Sequence, residues 1–279
     1  MFSSKMIYPT AIRNRQCIII ILVLIIWLLV FKKLNNATGF NYVYDAKEIC
    51  SNTNKSFVNV IIVIFSEEKD NRLRLRNNLS GQIAELSDDL QEKYRVEFVF
   101  MTGLSGSSTL VQNEYNQYRD IVQGYFQDTY RNLPNKGMFT LNWINRYCGN
   151  FTFWLKMDSD VKLSLGKLLR KGFPKPGAWM AGRVLKNTRP VRNSGTHIDV
   201  KPGEYNRTFY PDYLDGFAYI SPILNSKYLL QGCFETDVFF IHDVYETGLC
   251  REKTSIRLID MKHFCRARDD SGCFVIHYI

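Results

Sequence analysis

The sequence predicts an α/β fold: a Rossmann-like mixed sheet flanked by helices, following one N-terminal membrane-crossing helix. Three observations carry this expectation. An unbroken apolar run fills positions 17–31 (CIIIILVLIIWLLVF). Two short runs rich in β-branched and aromatic residues, 58–65 (VNVIIVIF) and 96–101 (VEFVFM), read as strands buried on both faces. Charged, helix-compatible stretches separate them from a third such run, 151–157 (FTFWLKM), and this alternation builds sheets with parallel strands.

The N-terminal run holds 15 residues, fewer than the about 20 that usually span a bilayer. A short span suits a thin secretory-pathway membrane. Lys32 and Lys33 follow directly, where a cleavable leader would carry small neutral residues, so the run reads as a retained anchor. Three cations and no acid precede it, which orients the N-terminus to the cytosol. The expected organisation is a cytosolic tail at 1–16, an anchor at 17–31, a polar stem at 32–56 and a lumenal domain at 57–279. The formal net charge is +9, but residues 1–33 supply five cations and no acid, leaving +4 on the rest. No basic stripe is interleaved with stacking aromatics, and nucleic acid is not an expected partner. Sequons at Asn36, Asn54, Asn78, Asn150 and Asn206 suit a lumenal, Golgi-type location. Six cysteines lie outside the anchor and permit up to three disulfides, whose pairing the spacing does not give.

Along the domain, 67–78, 83–93 and 114–123 read as helical, as does 137–147 with Met138, Leu141, Trp143, Ile144 and Tyr147 inward. A helical pattern resumes over 163–170, and strands are expected at 179–185 and 217–220. The intervening 186–213 is loop-rich, with Pro190, Gly195, Pro202, Gly203 and Pro211.

Ligands of open α/β sheets bind beyond the C-terminal ends of the strands. The third predicted strand runs straight into Asp158-Ser159-Asp160 at such an end. Two carboxylates one residue apart can face one hard cation, which Mg²⁺ and Mn²⁺ accept through oxygen ligands shared with phosphates. With 16 aspartates in the chain, about one Asp-x-Asp arises by chance, so the buried strand before it is what gives the motif weight. Asp243, in FFIHDVYETG, stands where a general base or a helix cap would stand. His277 ends a short apolar strand; it reads as a surface residue or as the imidazole that completes a carboxylate metal site. The aromatic stretch 210–219 (YPDYLDGFAY) reads as a sugar-facing loop or as a turn before a core strand.

Taken in order, these segments resemble the β-1,3-galactosyltransferase family, an inverting family that also holds β-1,3-N-acetylglucosaminyltransferases and, more distantly, the Fringe proteins. Asp120-Ile121-Val122-Gln123 with 126–133 (FQDTYRNL) resembles its DIIQ-x-DF-x-DSY-x-NL block. The segment 153–161 (FWLKMDSDV) resembles its strand ending in K-T-DDD-V. The 210–219 stretch, then His242-Asp243-Val244-Tyr245 with Gly248-Leu249-Cys250, then Cys265-Arg266 through His277 resemble the later blocks. The resemblance covers roughly 58–279 and implies a GT-A-type fold, a UDP-sugar donor (UDP-galactose before UDP-N-acetylglucosamine), Mn²⁺ or Mg²⁺, and an oligosaccharide acceptor. By position it implies Asp158, Asp160 and His277 at the metal, Asp243 as base, Lys136 near the diphosphate and Asp120 beside the nucleotide. Ser159, His242 and Leu214 depart from the pattern; Leu214 stands where the family has a cysteine, implying one family disulfide fewer. The first family block is faint in 72–76 (RLRLR). These departures keep a second expectation open, a catalytically inactive relative that binds glycans or assists a partner.

Overall fold

The computed structural model describes residues 39–104, 108–267 and 272–278. The expected tail at 1–16 and anchor at 17–31 lie outside the described residues, and among the described residues no helix is long and apolar enough to cross a membrane. The chain divides into Met1–Asn41 and Tyr42–Ile279; all that follows concerns the second unit.

Two sheets form it. The larger has the strands β1 (Tyr42–Tyr44), β2 (Val58–Phe65), β3 (Tyr94–Leu104), β4 (Ile121–Gln127), β5 (Phe153–Asp158), β7 (Trp179–Leu185), β8 (Tyr213–Pro222) and β9 (Arg257–Asp260) in the order β1-β4-β3-β2-β5-β8-β7-β9. Strands β2 to β5 run parallel, whereas β1 and β8 pair antiparallel with their neighbours. The smaller sheet joins β6 (Val161–Leu163), β10 (Phe264–Ala267) and β11 (Val275–Tyr278) in the order β10-β11-β6. The helices are α1 (Lys69–Ala84), α2 (Asp88–Lys93), α3 (Ser108–Tyr118), α4 (Leu133–Tyr147), α5 (Leu165–Lys171) and α6 (Asn225–Phe234).

Strand β2 shows why this sheet is central. Val60, Ile62 and Ile64 join the core cluster with Leu75 and Leu79 of α1 and Leu168 of α5. Ile61 and Val63 point to the opposite face and are equally buried. A strand covered on both faces reads as a continuous apolar run, which is what the sequence displays. Helix α4 starts with Pro134 in its first turn, where a missing N–H costs nothing. Its Leu141, Trp143 and Ile144 are fully buried, and it packs on α6.

Three expectations are corrected. The helix expected over 114–123 stops at Tyr118; Arg119 turns the chain with φ 57°, and Ile121 already pairs with Phe100 in the sheet. The stretch expected to be a stem is partly folded: Tyr42–Tyr44 pairs with β4, and Cys50 is bonded to Cys148 after α4. The helix expected over 163–170 begins at Leu165, because Val161–Leu163 is taken up by the smaller sheet. The six cysteines pair as Cys50–Cys148, Cys233–Cys250 and Cys265–Cys273. Leu214, at the family's cysteine position, is core with no exposure.

Candidate active site

The chain moves from β2 outward to β3 and β4, then returns to place β5 on the other side of β2. Such a reversal opens a crevice at the C-terminal ends of the two strands. Phe65 and Asp158 are register partners at that edge.

Asp158 closes β5, and Ser159-Asp160 turn the chain into β6. Strand β11 pairs antiparallel with β6 so that His277 faces Val161. That register brings His277 Nε2 to 3.3 Å from Asp160 Oδ2. The smaller sheet thereby joins the end of the chain to the Asp-Ser-Asp turn. Arg266, on the neighbouring β10, lies 3.4 Å from His277 Nδ1 through Nη1. Its Nε and Nη2 donate to Asp215 at 2.7 Å each, and Arg183 adds a third bond at 2.6 Å. Burial pushes the Asp215 carboxyl up, yet the Arg266 bonds, joined by Arg183, hold it below the ordinary range.

Lys156 ties Asp158 to the base candidate. It is buried on β5, donating to Asp158 Oδ1 at 2.6 Å and to the Gly216 carbonyl. The Gly216 N–H in turn donates to Asp243 Oδ2 at 3.3 Å, and Asp243 Oδ1 accepts from Val244 N–H at 3.0 Å. A Cβ on Gly216 would come within 2.9 Å of the Asp243 Cβ, so only glycine lets the two segments approach this closely. Burial raises the Asp243 carboxyl above its ordinary range, with the neighbouring His242 and the Val244 N–H opposing it. Asp243 caps the π-helical turn Val244–Cys250, so the cap and base readings fall on one side chain.

Below this lies a second polar layer. His242 Nε2 is 3.1 Å from Glu246 Oε2, and the Tyr219 hydroxyl donates to Glu246 Oε1 at 2.5 Å. Gly137 of α4 abuts this pair, where a Cβ would meet both partners. Lys136 donates to both Asp128 oxygens at 3.0 and 2.8 Å with 1% exposure on each side chain, while burial lowers the lysine's proton affinity. Lys136 and Lys156 flank the Phe65 ring at 5.3 and 4.6 Å. Asp120 stands apart at the N-terminal end of β4, clamped by Arg76 at 2.7 and 2.9 Å. Arg72 and Arg76, one helical turn apart on α1, also share Glu114 of α3.

The structure joins Asp160 to His277 by one contact and Asp158 to Asp243 through Lys156 and Gly216, while it commits Lys136 to Asp128 and Asp120 to Arg76 in buried ion pairs. Among the described residues no three His, Cys, Asp or Glu side chains stand together as a cation site. The donors present, the carboxylates of the Asp-Ser-Asp turn and the imidazole that β11 brings to Asp160, are of the type that Mn²⁺ and Mg²⁺ accept. The sequence alone points neither to the Lys156 bridge nor to the Asp215–Arg266 pair, and the 210–219 stretch that holds Asp215 and Gly216 passes into β8 from Tyr213. A lone lysine inside an apolar strand was the one visible signal, because a buried cation needs a partner.

A family model described as galactosyltransferase matches residues 83–262, a span that holds Asp120, Lys136, Lys156, Asp158, Asp160, Gly216 and Asp243. The chain is 25% identical over 242 residues to lactosylceramide 1,3-N-acetyl-beta-D-glucosaminyltransferase A of Xenopus laevis, covering 80% of this chain and 61% of that protein. It is 30% identical over 158 residues to UDP-GlcNAc:betaGal beta-1,3-N-acetylglucosaminyltransferase 9 of Bos taurus, covering 56% and 39%. Against beta-1,3-galactosyltransferase 2 of Homo sapiens the identity is 25% over 234 residues, covering 79% and 53%. The chain thus spans between 39% and 61% of the length of these relatives.

Proposed function

The chain belongs to the galactosyltransferase family, and from that premise we propose that it is an inverting, metal-dependent hexosyltransferase. It moves a hexose, galactose before N-acetylglucosamine, from a UDP-sugar to an oligosaccharide acceptor in β-1,3 linkage. The observation that supports this reading is the run of hydrogen bonds from Asp158 through Lys156 and Gly216 to Asp243, beside the Asp160–His277 contact.

Asp243 takes the proton from an acceptor hydroxyl, and the oxygen attacks the anomeric carbon from the face opposite the leaving group. The bond to the diphosphate breaks, UDP leaves with the electron pair, and the configuration inverts. Burial gives the carboxylate a proton affinity nearer to that useful for base catalysis. The Gly216 N–H and the Val244 N–H hold it in one orientation. Asp160 and His277, with Asp158, would hold the divalent cation. That cation, when bound, neutralises the departing diphosphate. Lys156 holds Asp158 in place, while Lys136 is buried against Asp128 and Asp120 against Arg76, so these two act through the packing around the site.

The reading puts the domain in the Golgi lumen on a single-pass anchor. The three disulfides suit an oxidising compartment. The four sequon asparagines among the described residues, Asn54, Asn78, Asn150 and Asn206, are all exposed, as glycan attachment requires.

The test is transfer by the full-length chain in membranes, offered UDP-galactose and UDP-N-acetylglucosamine with Mn²⁺, with and without chelator, beside Asp243→Asn. Metal-dependent turnover of one donor that disappears in the variant is expected. UDP binding without turnover on a broad acceptor panel would overturn the reading in favour of an inactive relative.

A further inference from the structure

The loop-rich stretch 186–212 between β7 and β8 is an ordered wall. Arg192 donates to the carbonyls of Val200 and Tyr205 at 2.6 Å each, and Asp199 accepts from the Ser194 and Gly195 N–H groups at 2.8 and 2.7 Å. Tyr205 and Tyr210 pack on Phe239 at 5.3 and 5.8 Å, which fastens the loop to the segment that leads into Asp243. The far side of the loop closes on the turn after β4. There the His197 ring meets Tyr130 edge-on at 4.5 Å, and Glu204 pairs with Arg131 at 3.0 Å. The Arg131 guanidinium lies 4.0 Å over Phe240, three residues before the base candidate.

Between these walls is a cavity of about 460 Å³, lined among others by Tyr130, Arg131, Asn193, Thr196, His197 and Lys201. That volume is within the about 300–1,000 Å³ of small-molecule sites. Its lining combines the Tyr130 and His197 rings with hydroxyl, amide and cationic donors and the Asp199 carboxylate as acceptor, groups that bind a neutral sugar through stacking and hydroxyl hydrogen bonds. Burial and the charge of Asp243 together push the Tyr130 phenol up to about 12, which keeps it neutral and able to donate.

Resting on the transferase reading above, we infer that this cleft holds the acceptor glycan, with Tyr130 and His197 as specificity-determining residues that seat a neutral sugar ring beside Asp243. The donor is bound elsewhere, at the β2–β5 edge, so the two substrates are read by separate parts of the fold. The loop that reads the acceptor lies between strands and can change sequence without disturbing the sheet.

The experiment compares the full-length chain with His197→Ala, Tyr130→Phe and Tyr130→Ala. Acceptor KM, donor KM and acceptor-free hydrolysis of the UDP-sugar are measured for each. His197→Ala and Tyr130→Ala are expected to raise acceptor KM by about tenfold, the effect of losing one aromatic contact. Donor KM and hydrolysis are expected to stay at wild-type values, with Tyr130→Phe between. Acceptor KM within about twofold of wild type in both alanine variants overturns the inference. If the wild-type chain turns over no donor, the transferase reading fails by itself, and glycan binding decides the cleft. Binding weakened in both alanine variants keeps it as a glycan site; equal binding, or none in the wild type, removes it.

Discussion

His277 Nε2 lies 3.3 Å from Asp160 Oδ2, although the two residues come from opposite ends of the domain's second half. They meet because β11 lies antiparallel to β6 in a sheet of its own. On the proposed reading, loss of either partner should impair the handling of a divalent cation rather than the fold, since both are partly exposed. Asp160→Ala is expected to lower transfer on the order of 10²-fold or more. His277→Ala should raise the Mn²⁺ concentration needed for half-maximal rate by about 10–100-fold. Metal titrations of the rate, with circular dichroism as the control for folding, check both.

Asp243→Asn separates catalysis from stability. On the proposed reading Asp243 acts as base only when ionised, so the acid limb of kcat/KM should lie above the ordinary carboxylate value of about 3.9. The variant should lose about 10²–10⁴-fold in kcat with little change in either KM. A carboxyl raised by burial gives its full stabilisation below the unfolded value, and this is lost as pH rises through the folded value. Wild type should therefore lose stability over that window while Asp243→Asn does not. Thermal melts across the acid range, set beside the pH–rate profile, measure the two effects.

Gly216→Ala tests how closely the base must be held. The added methyl meets the Asp243 Cβ at 2.9 Å, so the carboxylate must shift. A displacement of this kind costs about 10²-fold in rate. Donor affinity should be nearly unchanged, because the methyl points to Asp243 and not to the Asp158 side. A variant with full kcat would place the proton acceptor elsewhere.

The Lys136–Asp128 pair is buried on both sides, so removing one partner leaves an uncompensated charge. Lys136→Ala is expected to cost about 3–5 kcal/mol of stability. The paired change Lys136→Met with Asp128→Leu should recover most of the helix–sheet contact, but not the bonds Asp128 accepts from Gly103 N–H and the Thr102 hydroxyl. Urea unfolding of the two forms gives the comparison, and equal midpoints for the single variant and wild type would contradict it.

Where burial was continuous, the sequence was easy to read. Strands Val58–Phe65 and Trp179–Leu185 have the limits expected from their apolar runs. The buried side of α4 was also plain, because its large residues recur at helical spacing. Nothing local ends the helix before residues 121–123, so the sequence pattern carries it through them. What ends it is tertiary: Asp120 is drawn to Arg76, and Ile121 joins β3. The same kind of long-range pairing hid Tyr42–Tyr44 inside a polar stretch. Candidate ligands were visible as residue types at strand ends. Their connector was not, since Lys156 reaches Asp243 only through the backbone of Gly216, a contact between strands distant in sequence.

The position of β11 has a consequence for how the protein matures. A ribosome extends the chain at about 5–20 residues per second, and domains begin to form as they emerge. The parallel strands β2 to β5 can come together while β11 is still unmade, leaving the Asp-Ser-Asp turn without His277. The Cys265–Cys273 bond joins β10 to the residues just ahead of β11. A newly made copy therefore lacks the His277–Asp160 contact until β11 has docked, and the Cys265–Cys273 bond holds the segment just ahead of that strand.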